Sequence, residues 1–365
     1  MLKTPKVSIL VPAYKMEQYL VECLDSIVNQ TLEDIEIIVI DEGDQDECRA
    51  IIDTYEFGIR KDSRVKTIHE KNGGYGASMN KGINLATGEY IGIVEADDFV
   101  DKNMFKDLYE LAIANDADMV KSDFYAYTTA KNQSRKSGKI SKLSDKKVTN
   151  IKKAPELLKM QPTIWTAIYK RDFLNSNSIR FLETAGGSYQ DTSFAFKTLS
   201  LARKIVLTSK AYLHYRIDNE LSSVKSKGKV FAICDEYAEL TNFVNAHPDL
   251  EKIINPYKII KQYNAYMWNL KRIAPEFRAE FIARFADEFK TLEAKGQLTS
   301  AVYKKVNKNH VQMLLKAPEK FNLLVGDLVD KQDKRQKRNK MFSININLSR
   351  VSIVLFGKQI LAIDF

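Results

Sequence analysis

Short apolar runs alternate with stretches of helical periodicity over about the first 125 residues of the chain. The runs are rich in β-branched residues and predict buried strands over residues 7–11, 35–40, 65–68, 90–94 and 119–125. Between them, apolar residues at helical spacing predict helices near residues 17–28, 47–55, 77–86 and 104–114. This alternation predicts an α/β fold with a mainly parallel sheet and helices on both faces. Ligands bind such sheets at the carboxyl ends of the strands.

The pattern changes after residue 153. Residues 154–216 mix short helices and strands, and residues 230–340 are almost continuously helical, with breaks at Pro248, Pro256, Pro275, Gly296 and Pro318. Residues 341–365 return to strand-like alternation. We therefore expect a catalytic or binding domain over residues 1–225, a helical domain over 226–340 and a strand-like tail over 341–365.

Composition narrows the class of protein. The 365 residues are 44% hydrophobic and 10% aromatic, enough for a sizeable core, which excludes a disordered or fibrous chain. No apolar run approaches the roughly 18 residues of a membrane span, and the N-terminus does not lead into a signal-peptide core. Three dispersed cysteines and four histidines argue against a disulfide framework or a zinc cage. We expect a reduced, cytoplasmic protein.

The net charge of +9 is concentrated in two segments. Residues 131–153 carry a net +8 and residues 331–340 a net +5, so the rest of the chain is slightly acidic. Neither segment contains the aromatic residues that accompany nucleic-acid binding, and we expect no nucleic-acid partner. Solvated surface is the favoured interpretation. The alternative is contact with an anionic membrane surface, at the inner face of the membrane, or with an acidic glycan carrier.

The first candidate site follows the strand predicted at 90–94, where Glu95 is followed after one alanine by Asp97 and Asp98. Adjacent carboxylates repel each other unless a cation or several donors compensate them. A hard divalent ion such as Mg²⁺ or Mn²⁺, shared with phosphate oxygens, would do so. The alternative is that Asp97 or Asp98 caps the next helix.

Two further candidates follow other strands. The acidic stretch at 41–46 could accept hydrogen bonds from a nucleotide base or ribose, or could provide a helix cap. Asn72, Gly73 and Gly74 precede a predicted helix, where glycines allow close backbone approach to a ligand, although a plain turn is the simpler interpretation.

The last candidates lie later in the chain. Asp191 opens a predicted helix and could act as a base or simply as its N-cap. His214 and Arg216 lie on a predicted strand upstream of Ser222 and Ser223, and a single histidine beside aromatic residues is more often structural than a ligand.

Taken in order, these segments resemble the family 2 glycosyltransferases, which have a GT-A-type, Rossmann-like nucleotide-sugar-binding domain. The order and gaps of the motifs carry the resemblance, rather than any single motif. The matching segments are VSILVPAY at 7–14, LDSIVNQT at 24–31, EIIVID at 36–41, NGG at 72–74, NKG at 80–82, ATGEYI at 86–91 and ADD at 96–98. A looser similarity extends through Trp165, Asp191 and residues 212–223.

The resemblance implies a donor site for a nucleotide sugar. Glu42 stands where the family usually has a second aspartate at the base. Asp97 would face the ribose or sugar, and the segment after His214 would complete the diphosphate site. The donor-binding residues that the resemblance implies are Pro12, Tyr14, Glu42, Asn72, Gly73, Gly74, Asp97, Arg216, Ser222 and Ser223.

The resemblance also implies the catalytic parts. Asp98 would bind a divalent metal ion, Mn²⁺ or Mg²⁺, with His214 as a second metal ligand. Asp191 would be the catalytic base, and Trp165 would lie near the acceptor or in the core. The family usually writes its base as Glu-Asp, whereas this chain has Gln190; the lost charge would leave Asp191 a weaker base, other things being equal. Residues 217–228 would form part of a lid.

These parts imply an inverting, metal-dependent hexosyltransferase that moves a sugar from a nucleoside diphosphate, with UDP favoured, to a glycan or glycoprotein of the cell surface. The alternative is a non-catalytic scaffold for another transferase, which Gln190 and Glu42 favour. A third hypothesis is a nucleotidyltransferase, although this chain lacks the basic glycine-rich loop that is usual in that class. The helical region could pack within the chain or form a homodimer or higher homo-oligomer.

Overall fold

The predicted alternation of strands and helices is present in the computed structural model of the chain. The structure describes residues 4–43, 47–69, 73–140, 145–184, 188–219, 229–347, 350–355 and 358–364, with side chains up to residue 329. Contacts divide the chain into two units, Met1–Lys261 and Gln262–Phe365. This boundary lies later than the predicted one at 225/226, because the first helix of the predicted helical domain packs on a helix of the first unit.

The first unit contains a mixed sheet and the helices that connect its strands. Its described strands are β1 Val7–Ala13, β2 Ile35–Asp41, β3 Val65–His69, β4 Tyr90–Ile93, β5 Phe99–Val100, β6 Met119–Thr128, β7 Gln133–Lys136, β8 Val148–Thr149, β9 Ala167–Lys170 and β10 Ile205–Arg216. Its described α-helices are α1 Glu17–Val28, α2 Cys48–Glu56, α3 Tyr75–Leu85, α4 Met104–Asn115, α5 Arg171–Ser176, α6 Gln190–Leu201, α7 Ala232–Ala246 and the first part of α8 Glu251–Leu270.

The sheet order is β3-β2-β1-β4-β9-β6-β10-β5, with β7 paired to β6 and β8 to β10. Strands β3, β2, β1 and β4 are parallel, whereas β9 is antiparallel to both β4 and β6. Since β10 is parallel to β6, it also runs in the direction of β4. The carboxyl ends of β1, β2, β4 and β10 therefore meet at one edge, which we call the carboxyl edge. The predicted α/β class is confirmed, with a sheet that is mixed.

Pro12 lies inside β1 rather than ending it. The Leu10 carbonyl accepts a hydrogen bond from Val94 on the β4 side, and the Ala13 carbonyl accepts one from Glu42 on the β2 side. Backbone groups alternate in direction along a strand, so Pro12 faces the β4 side, where the β1–β4 pairing has already ended at Leu10. A residue without an N–H can occupy this position because no ladder hydrogen bond is lost.

Pro256 also differs from its predicted role. The sequence predicts a break in the helical region there, but α8 runs from Glu251 and includes Pro256. The first four N–H groups of a helix have no acceptor within it, and Pro256 lies only just beyond them, so it removes little of the helical hydrogen bonding.

A buried glutamate joins the strands at the amino-terminal edge of the sheet, opposite the carboxyl edge. Glu36 on β2 is 2% exposed and accepts hydrogen bonds from Ser8 on β1, from Thr87 and Gly88 before β4, and from Lys66 on β3 at 2.9 Å. Burial by itself would raise the pKa of Glu36, but the hydrogen bonds from Ser8, Lys66 and Thr87 outweigh it and lower that pKa to about 2.

Replacing Glu36 with glutamine is expected to lower the free energy of unfolding at pH 7 by on the order of 3 kcal/mol, because the depressed pKa reports stronger bonds to the charged form. In the wild type this stability is present above about pH 4.5 and is lost as the pH falls toward about 2. Urea unfolding as a function of pH measures both the loss of stability in the variant at pH 7 and the pH dependence of stability in the wild type. The exposed Glu33→Gln is the control, and equal losses in the two variants would contradict the assignment.

The second unit contains the end of α8 and the helices α9 Arg278–Ala294, α10 Ser300–Tyr303, α11 Lys308–Lys316 and α12 Pro318–Met341. Strands β11 Phe342–Asn347, β12 Arg350–Leu355 and β13 Lys358–Asp364 form an antiparallel sheet where the tail was predicted to be strand-like. None of the described helices combines the length and the apolar character that crossing a membrane requires.

Candidate active site

The acid run 95–98 directly follows β4 and lies at the carboxyl edge. Asp98 is 1% exposed, and its Oδ1 accepts a hydrogen bond from the backbone N–H of Arg216 on β10 at 2.9 Å. Asp97 accepts a hydrogen bond at Oδ2 from the buried Asn219 side chain at 2.8 Å. Neither aspartate caps a helix, since α4 begins at Met104. The end of β10 and the residues after it therefore hold the acid pair in place.

The carboxylates of this run have too little compensating positive charge. Burial raises the pKa of Asp98 well above its usual range, and the neighbouring charge of Asp97 raises it further. Burial raises the pKa of Glu95 to about 8, although the Tyr75 hydroxyl donates a hydrogen bond to it at 2.7 Å. Oδ2 of Asp98 is buried and has no hydrogen-bond partner among the described residues. A buried carboxylate oxygen in this condition is stabilised by a cation.

These residues fit a metal ion that the protein coordinates only in part. Across the part of the chain that the structure describes, no three or more His, Cys, Asp or Glu residues are grouped to hold a metal. Mg²⁺ at nucleotide sites typically takes one or two protein carboxylates and completes its shell with phosphate oxygens and water. Asp98 is the residue that would hold such an ion, through Oδ2.

Arg216, predicted to contact the diphosphate, lies at the end of β10 beside the acid pair. Its side chain is 2% exposed, and Nε donates to the carbonyl oxygen of Asp97 at 2.7 Å. The guanidinium also donates to Thr129 and Glu22 and stacks over the Tyr19 ring at 4.3 Å. The charge of Arg216 is thus enclosed by the protein, and the residue positions the acid pair, while its contact with the diphosphate stays a prediction.

His214, predicted to be a metal ligand, also lies near the end of β10. Its Nδ1 lies 2.6 Å from the Ser134 hydroxyl, and its Nε2 lies 3.2 Å from Oδ1 of Asp101. The ring stacks on Phe99 at a centroid distance of 4.4 Å. Both ring nitrogens thus have partners other than Asp98 in this structure. The role of His214 as a metal ligand stays a prediction.

The predicted base-binding residues lie at the ends of β1 and β2. Pro12 is buried, whereas Tyr14, just after β1, is 40% exposed and available to a ligand. Glu42 is 5% exposed and follows β2; burial raises its pKa, against a hydrogen bond from Ser78. The fold thus brings Tyr14 and Glu42 to the same edge as the acid pair, while their contact with a base remains a prediction.

The glycine segment precedes α3 as predicted. Gly73 is exposed, and Gly74 has a φ of 90°, a backbone conformation that strongly favours glycine. Three predicted donor-binding residues, Asn72, Ser222 and Ser223, lie outside the described residues, as does most of the predicted lid segment at 217–228.

Asp191 lies in the first turn of α6, and the N-cap position is taken by Tyr189, so the capping alternative does not apply. Burial raises the pKa of Asp191 to about 6, while the positive charge of Lys261 partly opposes the rise. A higher pKa makes a carboxylate a stronger base. The effect of Gln190 relative to a glutamate at that position stays a prediction. The Gln190 amide itself accepts a hydrogen bond from the Ser188 N–H at 2.6 Å.

Two residues near Asp191 were not predicted, because they come from α7 and α8. The Lys261 ammonium donates to the Met160 carbonyl oxygen at 2.8 Å, and burial lowers its pKa to about 8, although Asp191 opposes this. Glu236 is 1% exposed and accepts a hydrogen bond from the Ser193 N–H, near the start of α6, at 2.9 Å. Lysine and glutamate on an amphipathic helix are usually interpreted as solvent-facing, so the sequence contains no signal for them.

Replacing Lys261 with methionine is expected to shift the pH profile of turnover upward by about one pH unit. If Asp191 must be ionised to act, the wild-type rate rises with pH through about 6. Removing the nearby positive charge raises the pKa of Asp191 and moves that midpoint up. The control is Lys252→Met, at an exposed position of α8. Identical midpoints in the two variants would argue against this electrostatic role.

Trp165 is 8% exposed, and its ring stacks on Tyr215 with a centroid distance of 5.0 Å and an interplanar angle of 5°. The ring also meets Phe124 edge-on. Trp165 is thus largely packed, and its predicted contact with the acceptor remains a prediction.

Comparison with known proteins agrees with this arrangement. The family model for glycosyl transferase family 2 matches residues 8–176. The uncharacterized glycosyltransferase EpsJ of Bacillus subtilis is 31% identical over 230 residues, which cover 61% of this chain and 64% of EpsJ. Glycosyltransferase GlyG of Streptococcus pneumoniae is 42% identical over 122 residues, which cover 33% of this chain and 40% of GlyG. The chain therefore spans less than two thirds of these relatives.

The fold is shared with a solved structure. TarS 1-349 of S. aureus, in complex with UDP-GlcNAc, has a TM-score of 0.64 and 19% identity, and the match covers 96% of this chain and 97% of that one. At this identity the likeness concerns the fold alone: a GT-A-like α/β domain followed by a helical region.

Proposed function

Because this chain carries a glycosyl transferase family 2 domain, we propose that it is an inverting, metal-dependent hexosyltransferase acting from a nucleoside diphosphate sugar on a glycan or glycoprotein hydroxyl. One observation supports this most directly: a buried carboxylate oxygen of Asp98 lacks a hydrogen-bond partner among the described residues. The charges of Asp98 and Asp191 both raise the pKa of Tyr215, so the two carboxylates interact with the same side chain. UDP is the favoured nucleotide, since the TarS structure of the same fold contains UDP-GlcNAc.

On the donor side, the protein holds the nucleotide and the leaving group. Tyr14 and Glu42 line the base at the ends of β1 and β2. Asp98 would hold the divalent ion through Oδ2, while the Arg216 N–H occupies Oδ1 and so fixes the direction of the carboxylate. When bound, the ion would supply Lewis-acid stabilisation of the charge on the diphosphate.

On the acceptor side, Asp191 is the general base. It accepts the proton of the acceptor hydroxyl as the acceptor oxygen forms a bond to the anomeric carbon. The bond from that carbon to the diphosphate oxygen breaks, and its electron pair leaves with the nucleoside diphosphate. A single displacement with one base inverts the configuration at the anomeric carbon. Burial of Asp191 keeps its pKa near 6, which suits a base that works around neutral pH.

A panel of nucleotide sugars, each incubated with and without Mn²⁺, tests the proposal. We expect metal-dependent release of a nucleoside diphosphate from one donor, faster when oligosaccharide acceptors are added, and an inverted anomeric configuration by NMR. Release of pyrophosphate would instead identify a nucleotidyltransferase. If no donor is consumed with any acceptor, the chain is a scaffold and the proposal fails.

A further inference from the structure

Tyr215 lies on β10 between His214 and Arg216, so its side chain is on the opposite face of the strand from theirs. Its ring stacks on Trp165 at 5.0 Å, and the main chain next to it donates the Arg216 hydrogen bond to Asp98. Phe124 meets both Trp165 and Tyr215 edge-on, at centroid distances of 5.0 and 6.3 Å. The ring of Tyr215 therefore has one well-defined orientation.

The stack is anchored by a buried lysine. Lys121 on β6 is 4% exposed, and its ammonium donates to the hydroxyls of Thr163 at 2.8 Å and Thr166 at 2.6 Å. Thr163 precedes the short helix Ile164–Thr166, which contains Trp165, and Thr166 is its last residue. Since the lysine holds both ends of the segment, Trp165 is a fixed support for Tyr215 rather than a mobile side chain.

Several carboxylates interact electrostatically with Tyr215. Burial raises the pKa of Tyr215, and the charges of Asp98, Asp97 and Asp191, in that order, raise it further. A phenol has an ordinary pKa of about 10, so it is protonated at neutral pH and can donate. The Tyr215 side chain is partly exposed, and its hydroxyl has no hydrogen-bond partner among the described residues. Tyr212 on the same strand, by contrast, donates to Asp107 at 2.7 Å.

The proposed function explains why a hydroxyl left unpaired by the described residues would be placed here. In that reaction the diphosphate would lie at Asp98 and the attacking oxygen at Asp191, so the transferred sugar would lie between them. We propose that the Tyr215 hydroxyl donates a hydrogen bond to the transferred sugar and helps to select it. This inference rests on the proposed function, but it concerns a residue that neither the sequence motifs nor the metal site requires.

Tyr215→Phe tests the proposal, because phenylalanine keeps the stack on Trp165 and removes only the hydroxyl. With the nucleotide sugar that the wild type turns over fastest, we expect kcat/KM to fall about tenfold. The affinity for UDP, measured by calorimetry with Mn²⁺, should stay within about twofold, since UDP lacks the sugar. The control is Tyr212→Phe, which removes a hydroxyl from the same strand and should leave kcat/KM unchanged.

The outcomes separate the hypotheses. An unchanged kcat/KM in Tyr215→Phe would overturn the contact with the sugar. Equal losses of UDP affinity and kcat/KM, together with a lower Tm, would show a structural role and would also overturn it. A wild-type chain that binds UDP but turns over no nucleotide sugar would refute the proposed function, and this inference with it.

Discussion

Replacing Asp191 with asparagine is expected to lower the rate of sugar transfer by roughly 10²–10⁴-fold, the usual contribution of a positioned general base. Asparagine has nearly the same shape but cannot accept the acceptor's proton. Donor binding should remain nearly intact, because Asp191 faces the acceptor in the proposed mechanism. Single-turnover kinetics and calorimetry with the donor measure the two effects separately.

The fold is not expected to suffer from this substitution. Burial disfavours the Asp191 carboxylate, so the neutral amide should leave the free energy of unfolding equal or higher. The matched control is Asp172→Asn, an exposed acid in the first turn of α5 that should retain full activity. Near-normal turnover in the Asp191 variant would refute its assignment as the base.

Replacing Asp98 with asparagine should abolish the metal dependence of donor binding and weaken that binding by at least about 100-fold in the presence of Mn²⁺. The asparagine carbonyl can still accept the Arg216 hydrogen bond, so the loss is confined to the Oδ2 side. Calorimetry with UDP, with and without Mn²⁺, measures the effect.

Although donor binding should weaken, the Asp98→Asn variant should be as stable as the wild type or more stable. Burial and Asp97 disfavour the charged form of Asp98, so in the absence of metal the variant should unfold at the same or a higher Tm. The control is Asp101→Asn, an exposed carboxylate next to His214 rather than in the acid pair. A variant of Asp98 that binds UDP with the same Mn²⁺ dependence as the wild type would contradict the proposed metal site.

The sequence alone was sufficient to predict the strand–helix alternation, the fold class and the edge at which Tyr14, Glu42 and the acid pair meet. These features depend on local periodicity and on the shared direction of parallel strands, both of which can be recognised from neighbouring residues. The resemblance to the family correctly identified the family, whose model matches residues 8–176.

The orientation of side chains on β10 could not be predicted in this way. Arg216 and His214 have the residue types of a diphosphate and metal site, and in this structure Glu22, Thr129 and Ser134 engage them. Which groups meet a strand residue depends on elements far away in the chain; Arg216 and Asp98 are 118 positions apart.

What the sequence determined, then, is where the acids stand along the chain and on which strands; what the tertiary structure decided is how those acids behave. Burial sets the pKa of Asp191 near 6 and leaves one oxygen of Asp98 without a partner among the described residues. Lys261 on α8 and Tyr215 on β10 both interact electrostatically with Asp191. Desolvation and the fields of distant charges depend on packing in three dimensions, and no local pattern encodes them.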